Sequence, residues 1–225
     1  MTDPVFFCAS LGADEVRLDG PEGRHAALVK RLRVGETLDL VDGRGTRASC
    51  VVTSVARDEL VAAVRSRVVD PEPTPRVTVV QALVKGDRGE LAVELMTEVG
   101  VDVIVPWQAA RCIAKWNDKV GVRWRSSAFE AAKQARRSWF PVVGEPLSSP
   151  LTGQVLVLHE SATVPLSSVS LDGDVTLVVG PEGGISDAEL ASLGGTAVRL
   201  GPTVLRASTA GAAAAAVVSA KLGRW

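Results

Sequence analysis

The chain has 225 residues, with 25 Lys and Arg against 26 Asp and Glu, for a formal net charge of −1. No global positive field is available, so a nucleic-acid partner must be met by a local basic patch, while the length suffices for one large core or two small ones. Cys8, Cys50 and Cys112 are odd in number and far apart, which offers no zinc pattern and suits a reducing cytoplasm.

The start, Met1-Thr2-Asp3-Pro4, lacks a basic stretch followed by an apolar one, so no signal peptide is expected. Val5 to Cys8 and Val16 to Leu18 read as short strands, and Glu22 to Leu32 as a helix carrying His25, Lys30 and Arg31. Glu36 to Val41 and Thr46 to Val55 form a predicted hairpin around Asp42-Gly43-Arg44-Gly45, and Leu60 to Val64 adds a strand. Short strands with polar turns suggest a small β-barrel over residues 1–70. Arg24, Lys30, Arg31, Arg33, Arg44 and Arg47 gather around the helix and the hairpin. They form either an ordinary solvated face or a phosphate-neutralising one.

Residues 71–76 alternate proline with other residues, which removes donors and favours an extended linker. From 77 to 225 the rhythm changes. Val77 to Val84 is a near-continuous apolar strand, as expected for one buried on both faces. Lys85-Gly86-Asp87 ends it, and Asp87 is placed to cap a helix from Arg88 to Val99 whose apolar stripe is Leu91, Leu95 and Val99. Gly100 stops that helix and Val101 to Val105 is the next strand. Strand, helix, strand predicts a βαβ unit and a parallel sheet.

A helix over Trp124 to Trp139 puts Ala128, Ala131, Ala132 and Ala135 on one face and Glu130, Lys133, Gln134 and Arg137 on the other. Val155 to Leu158 is a strand ending at His159-Glu160-Ser161, and Leu177 to Val179 is another, ending at Gly180-Pro181-Glu182-Gly183-Gly184. A short helix (Asp187 to Leu193) and a strand (Ala197 to Leu200) lead to Gly201-Pro202-Thr203, then Val204-Leu205-Arg206. Glycine at strand ends lets a backbone approach a ligand. The glycine spacing is neither that of a P-loop nor that of a dinucleotide fold. Ser208 or Thr209 is placed to cap a closing helix whose apolar run, Ala210 to Val218, is too short for a membrane span of about 20 residues.

Gly180-Pro181-Glu182-Gly183-Gly184 with Leu200-Gly201-Pro202 and Leu205-Arg206 resembles the cofactor loops of the SPOUT methyltransferases. Within that superfamily the chain is most similar to the RsmE family, which methylates N3 of a uridine in 16S ribosomal RNA. Gln81-Ala82-Leu83, Lys85-Gly86-Asp87, Thr97 to Val101, Pro106 and Arg111 carry the same likeness. Arg24-His25 through Leu32-Arg33-Val34-Gly35-Glu36 resembles that family's PUA-like domain.

The resemblance implies an α/β fold: a C-terminal SPOUT domain with a mostly parallel sheet and a deep trefoil knot, after an N-terminal PUA-like β-barrel. It implies a homodimer on the small ribosomal subunit that binds S-adenosylmethionine and needs no metal. The cofactor would be held by Leu158, His159, Glu160, Gly180, Pro181, Gly183, Gly184, Leu200, Gly201 and Leu205. RNA would be held by Arg24, His25, Lys30, Arg31, Arg33, Lys85, Arg111, Gln134 and Arg137, and Arg206 and Glu182 would serve the chemistry. Two departures matter. Relatives often carry Ser, Glu and Ser where this chain has Ala109, Ala110 and Cys112, and a second arginine and a carboxylate that the stretch Thr203 to Ala210 lacks. A SPOUT enzyme acting on transfer RNA or a ribose hydroxyl, and an idle RNA-binding assembly protein, therefore remain as alternatives.

Overall fold

The computed structural model describes residues 3–225, which divide into two compact units. The first comprises the residues up to Glu72 together with Ala132–Phe140, and the second Pro73–Ala131 with Pro141–Trp225.

In the first unit, alternation of apolar and polar residues builds strands β1 (Val5–Phe7), β2 (Glu15–Leu18), β3 (Thr37–Val41), β4 (Thr46–Val55) and β5 (Leu60–Val69). They pair in the order β1-β3-β4-β5-β2, with β1 parallel to β3 and the other pairs antiparallel. Phe6, Leu38, Leu40 and Leu60 are fully buried on the inner face. The β3–β4 turn is built by Asp42, whose carboxylate accepts from the backbone N–H of Arg44 at 2.7 Å and of Thr46 at 2.9 Å. Burial opposes the charge, but bonds from Thr46 and Arg44 outweigh it and lower the Asp42 pKa.

The helix expected over Glu22 to Leu32 starts earlier and stops sooner. Helix α1 (Gly20–Arg24) widens into a π-turn over His25–Val29, with Lys30 N–H bonded to His25 O at 2.9 Å. Beyond it Arg31 takes a φ of 54°, a conformation uncommon outside glycine. Residues 30–33 are thus a loop.

The second unit contains β6 (Val77–Ala82), α2 (Arg88–Glu98), β7 (Val103–Trp107), α3 (Asp118–Gln134) and β8 (Val142–Val143). There follow β9 (Gln154–Leu158), β10 (Val175–Val179), α4 (Asp187–Leu193), β11 (Thr196–Val198) and α5 (Ala207–Lys221). Helix α3 continues into the first unit for its last residues. The six strands run in the order β11-β9-β10-β6-β7-β8 and every pairing is parallel. The sheet's middle is its most apolar part, and all of β10 is buried. Helix α5 packs against β10, β6 and α2.

Five local expectations change. The buried face of α2 is Ala92, Val93, Met96 and Thr97, while Leu91 is 42% exposed. Close approach of α5 explains this rotation: a Cβ on Gly211 would stand 2.9 Å from Met96 Sδ, so small residues, not the leucine stripe, face the contact. Asp87 precedes α2 but makes no side-chain cap. Helix α5 starts at Ala207 with Arg206 as its N-cap, and Thr209 Oγ1 donates to Arg206 O at 3.2 Å in place of capping. Helix α3 runs from Asp118 to Gln134, before the predicted start and short of the predicted end, so Arg137 lies beyond it. Lys133, expected on the wet face, is 7% exposed because it is paired with Glu22 inside the first unit.

Candidate active site

Because the large sheet is wholly parallel, the loops after Ala82, Trp107, Leu158, Val179 and Val198 all leave its carboxyl edge. Ligands of open α/β sheets bind there. The three loops predicted to hold a cofactor follow β9, β10 and β11, which are adjacent in the order β11-β9-β10.

After β9, Leu158 is half-buried and the His159 N–H is tied to Val198 O at 2.9 Å. The His159 ring meets Ser161 Oγ at 2.9 Å through Nδ1, and Glu160 is exposed. After β10 the chain turns tightly, with Gly184 N–H on Pro181 O at 2.9 Å and a φ of 75° at Gly184. Pro181 and Ile185 are buried and anchor this loop. Two of its glycines face protein: a Cβ on Gly180 would stand 2.6 Å from Ile185 Cγ1, and one on Gly183 would stand 3.0 Å from Arg111 Cβ. Gly201, after β11, has nothing within 4 Å of its would-be Cβ. Leu200 packs on the core and Leu205 is 40% exposed.

Among the described residues, the backbone N–H groups of Glu182, Gly183, Gly201, Thr203, Val204 and Leu205 donate no hydrogen bond within the protein. Neighbouring strand ends therefore present a set of uncommitted donors. Arg206 is exposed, and its side chain has no hydrogen bond or ion pair among the described residues. Its backbone is fixed, because Arg206 O accepts from Thr209 N and Ala210 N, each at 2.9 Å. Glu182 is likewise exposed and without a side-chain partner among the described residues.

The loop after β7 reaches the same place. Arg111 Nη1 donates to Gly183 O at 2.9 Å, and the Ala110 N–H donates to Glu189 Oε1 at 2.6 Å. Burial works against the Glu189 charge, but bonds from Ala110 and Ser186 and the Arg111 guanidinium hold its carboxyl below the usual value. Burial pushes the nearby Cys112 thiol up, backbone bonds from Ala109 and Leu83 notwithstanding, and the charges of Glu182 and Glu189 add to the rise. It stays a protonated thiol rather than a nucleophile. After β6, Lys85 is exposed with no partner among the described residues. A cavity of about 230 Å³ lies beside this loop, walled by Leu83, Val84, Ala114 and Trp124 and by the Glu90–Arg123 ion pair at 2.9 Å.

Of the residues expected to meet RNA, Arg24, Lys30, Arg31 and Arg33 are exposed in the first unit, with no carboxylate in ion-pair range among the described residues. Arg47, by contrast, is paired with Asp70 at 3.1 Å. His25 stacks edge-on against Phe6, ring centroids 5.5 Å apart, which makes it a packing residue of the π-turn. Gln134 is exposed, and Arg137 donates through Nε to Trp139 O at 2.9 Å; both belong to the first unit with the other cations. The sequence reading missed Glu189 and Gln108. The spacing of Ser186 and Glu189 was a legible capping-box signal, but nothing local marks the reach to Ala110.

Two family descriptions match the chain, an RNA methyltransferase domain over residues 70–219 and an RNA methyltransferase PUA domain over residues 18–64. The chain is 49% identical to the ribosomal RNA small subunit methyltransferase E of Mycobacterium tuberculosis, covering 92% of this chain and 87% of that one. It is 29% identical to the Bacillus subtilis protein of the same name, covering 86% and 85%. Among solved structures, it is similar to the Neisseria gonorrhoeae ribosomal RNA small subunit methyltransferase E bound to S-adenosylmethionine, with a TM-score of 0.85, 25% identity and coverage of 97% and 98%. A Legionella pneumophila methyltransferase with bound cofactor SAM gives a TM-score of 0.87 at 25% identity, covering 98% of each chain.

Proposed function

This chain belongs to the ribosomal RNA small subunit methyltransferase E family, and we propose that it methylates N3 of a uridine in 16S ribosomal RNA with S-adenosylmethionine. The observation that carries this reading is the row of unbonded N–H groups at the ends of adjacent strands, from Glu182 and Gly183 to Gly201 and Leu205. Those donors, with open space beside Gly201, fit a ligand held mainly by backbone. When bound, that cofactor supplies an electrophilic methyl group on a sulfonium.

The protein's part is electrostatic and geometric. The uracil imide nitrogen is a poor nucleophile until its proton leaves, and the charge then spreads onto the flanking carbonyl oxygens. Arg206 has an anchored backbone and a guanidinium without a partner among the described residues, so it is fitted to stabilise that charge. Glu182, exposed in the neighbouring loop, is the carboxylate we assign to taking the proton. The arginine and carboxylate missing between Thr203 and Ala210 leave Arg206 as the cation of this stretch.

RNA binding is assigned to Arg24, Lys30, Arg31 and Arg33 with Gln134 and Arg137, and to Lys85 on the second unit. The cytoplasm is the setting in which such a substrate and free thiols coexist. No helix among the described residues is long and apolar enough to cross a membrane. A homodimer completing the site suits the exposed Val204 and Leu205 beside the last loop. A trefoil knot suits the path of the tail: Arg199 bonds to Val164 and Leu166 of the preceding loop, and Lys221 Nζ, at the end of α5, donates to Ser167 O.

The test is mass spectrometry of 16S ribosomal RNA from cells lacking the gene. Loss of one 3-methyluridine, restored by the intact gene and not by Arg206→Ala, is the expected result. An unchanged modification map sinks the assignment.

A further inference from the structure

We propose that Arg111 and Glu189 are positioning residues that clamp the glycine loop after β10 to the loop after β7, setting the shape of the cofactor pocket. The proposal deepens the methyltransferase reading and rests on it only for the identity of the ligand.

Strands β10 and β7 are not neighbours, since β6 lies between them. Their loops are nevertheless joined across the end of β6 by two bonds from consecutive residues. Arg111 donates its guanidinium to Gly183 O at 2.9 Å, and Ala110 donates its backbone N–H to Glu189 Oε1 at 2.6 Å. Each bond has one ionised partner, which makes it stronger than a neutral pair. Gly183 eases the contact: a Cβ there would stand 3.0 Å from Arg111 Cβ, so that the arginine stem would have to shift by a few tenths of an ångström. This glycine, read in the sequence as making room for a ligand, makes room for an arginine of the same chain.

Glu189 divides its two oxygens between tasks. Oε2 accepts from the Ser186 N–H at 3.0 Å and from Ser186 Oγ at 2.6 Å, closing a capping box on α4, while Oε1 holds the other loop. The far side of the clamp is itself braced, because Gln108 Nε2 donates to Ala114 O at 2.9 Å and Gln108 Oε1 accepts from Trp116 N at 3.0 Å. A stiffened loop thus grips the carbonyl of Gly183, in the same turn as the N–H groups of Glu182 and Gly183 that donate no bond among the described residues. Pocket donors that must not reorganise on binding are the kind that gain from such bracing.

The test separates the clamp from a helix cap and from an RNA contact. Glu189→Ala and Arg111→Ala should each raise the Kd for S-adenosylmethionine about tenfold by calorimetry, the size expected for one hydrogen bond to a charged group. The KM for ribosomal RNA should stay put. Glu189→Gln, which keeps an acceptor for Ala110, should recover most of the affinity, and Ser186→Ala, which spoils only the cap, should lose far less than Glu189→Ala. Equal losses in Ser186→Ala and Glu189→Ala would reduce Glu189 to a cap. A raised RNA KM with unchanged cofactor Kd in Arg111→Ala would make it an RNA ligand. Amide exchange at Gly184, whose N–H is bonded to Pro181 O within the loop, gives an arm independent of the ligand in the cofactor-free protein. The clamp predicts faster exchange there in both alanine variants, and unaltered protection overturns it. Wild-type protein that binds no S-adenosylmethionine would sink the methyltransferase reading, leaving the clamp to be judged by exchange alone.

Discussion

Lys133 Nζ stands 2.6 Å from Glu22 Oε1, an ion pair closed over 111 positions of sequence, with side chains only 7% and 15% exposed. The other Glu22 oxygen accepts the Phe7 N–H at 2.9 Å. The pair thus joins α1, β1 and the last residues of α3 within the first unit. Lys133→Met should destabilise that unit by about 3 kcal/mol, because the Glu22 carboxylate is left buried without its cation. Adding Glu22→Gln should restore part of the loss. Denaturant titration of both variants provides the check, and a neutral Lys133→Met would mean that solvent reaches the pair.

Arg206→Ala should leave cofactor affinity close to wild type and lower the methylation rate by about a hundredfold or more, the usual scale for removing a group that stabilises developing charge. Calorimetry and single-turnover methylation separate the two effects. Normal turnover would remove Arg206 from the chemistry.

Replacing Lys30, Arg31 and Arg33 together by alanine should weaken RNA binding with little effect on thermal stability, since these exposed side chains have no ion-pair partner among the described residues. If each meets one phosphate of single-stranded RNA, the slope of log affinity against log salt should fall by about 2. Filter binding over a range of salt measures it, and an unaltered slope would place the RNA elsewhere.

Arg224 secures the chain's end in the second unit. Its guanidinium bonds to both Asp102 oxygens at 2.6 and 2.9 Å, and to Gly100 O at 3.1 Å. Asp102 Oδ2 also accepts the Val77 N–H at 2.8 Å, at the start of β6. Arg224→Ala should cost about 3 kcal/mol, because the largely buried Asp102 loses both charge-assisted hydrogen bonds from the guanidinium. Thermal unfolding of this variant should show a lowered Tm, whereas Trp225→Ala, at an exposed side chain, should not.

Burial raises the Cys50 thiol from 9.0 to about 11. Above pH 9 the unfolded chain loses this proton while the folded one keeps it, so the contribution of Cys50 is full below pH 9 and declines as pH rises toward 11. Cys50→Ala should flatten that alkaline limb in stability measurements between pH 8 and about 11. A limb of unchanged steepness would show that other groups control it.

Much of the fold was legible because its signals are local. The apolar run from Val77 to Val84 and the turn at Asp42 to Gly45 depend on residues next to one another in the chain; the strand formed but ends two residues early, at Ala82, and the turn formed as expected. So did the short helix from Asp187 to Leu193. Helical period misled where the partner surface was unknown. Leu91, Leu95 and Val99 make a regular stripe, yet Leu91 is exposed, Leu95 and Val99 lie only partly buried against the core, and the fully buried face is Ala92, Val93 and Met96. Lys133 reads as a wet residue until Glu22 is brought to it.

The sequence alone determined most of the strands and turns, the glycine loops and the family to which they belong, because chain-local sterics and hydrophobic period need no partner to act; the two-residue edge strand β8 carries no such signal. Only the tertiary structure decided which loops touch. Strand order β11-β9-β10-β6-β7-β8 carries Arg111 to Gly183 and Ala110 to Glu189. Contacts between residues so far apart in the chain are chosen by the packing of the whole sheet, and no pattern of neighbours encodes them.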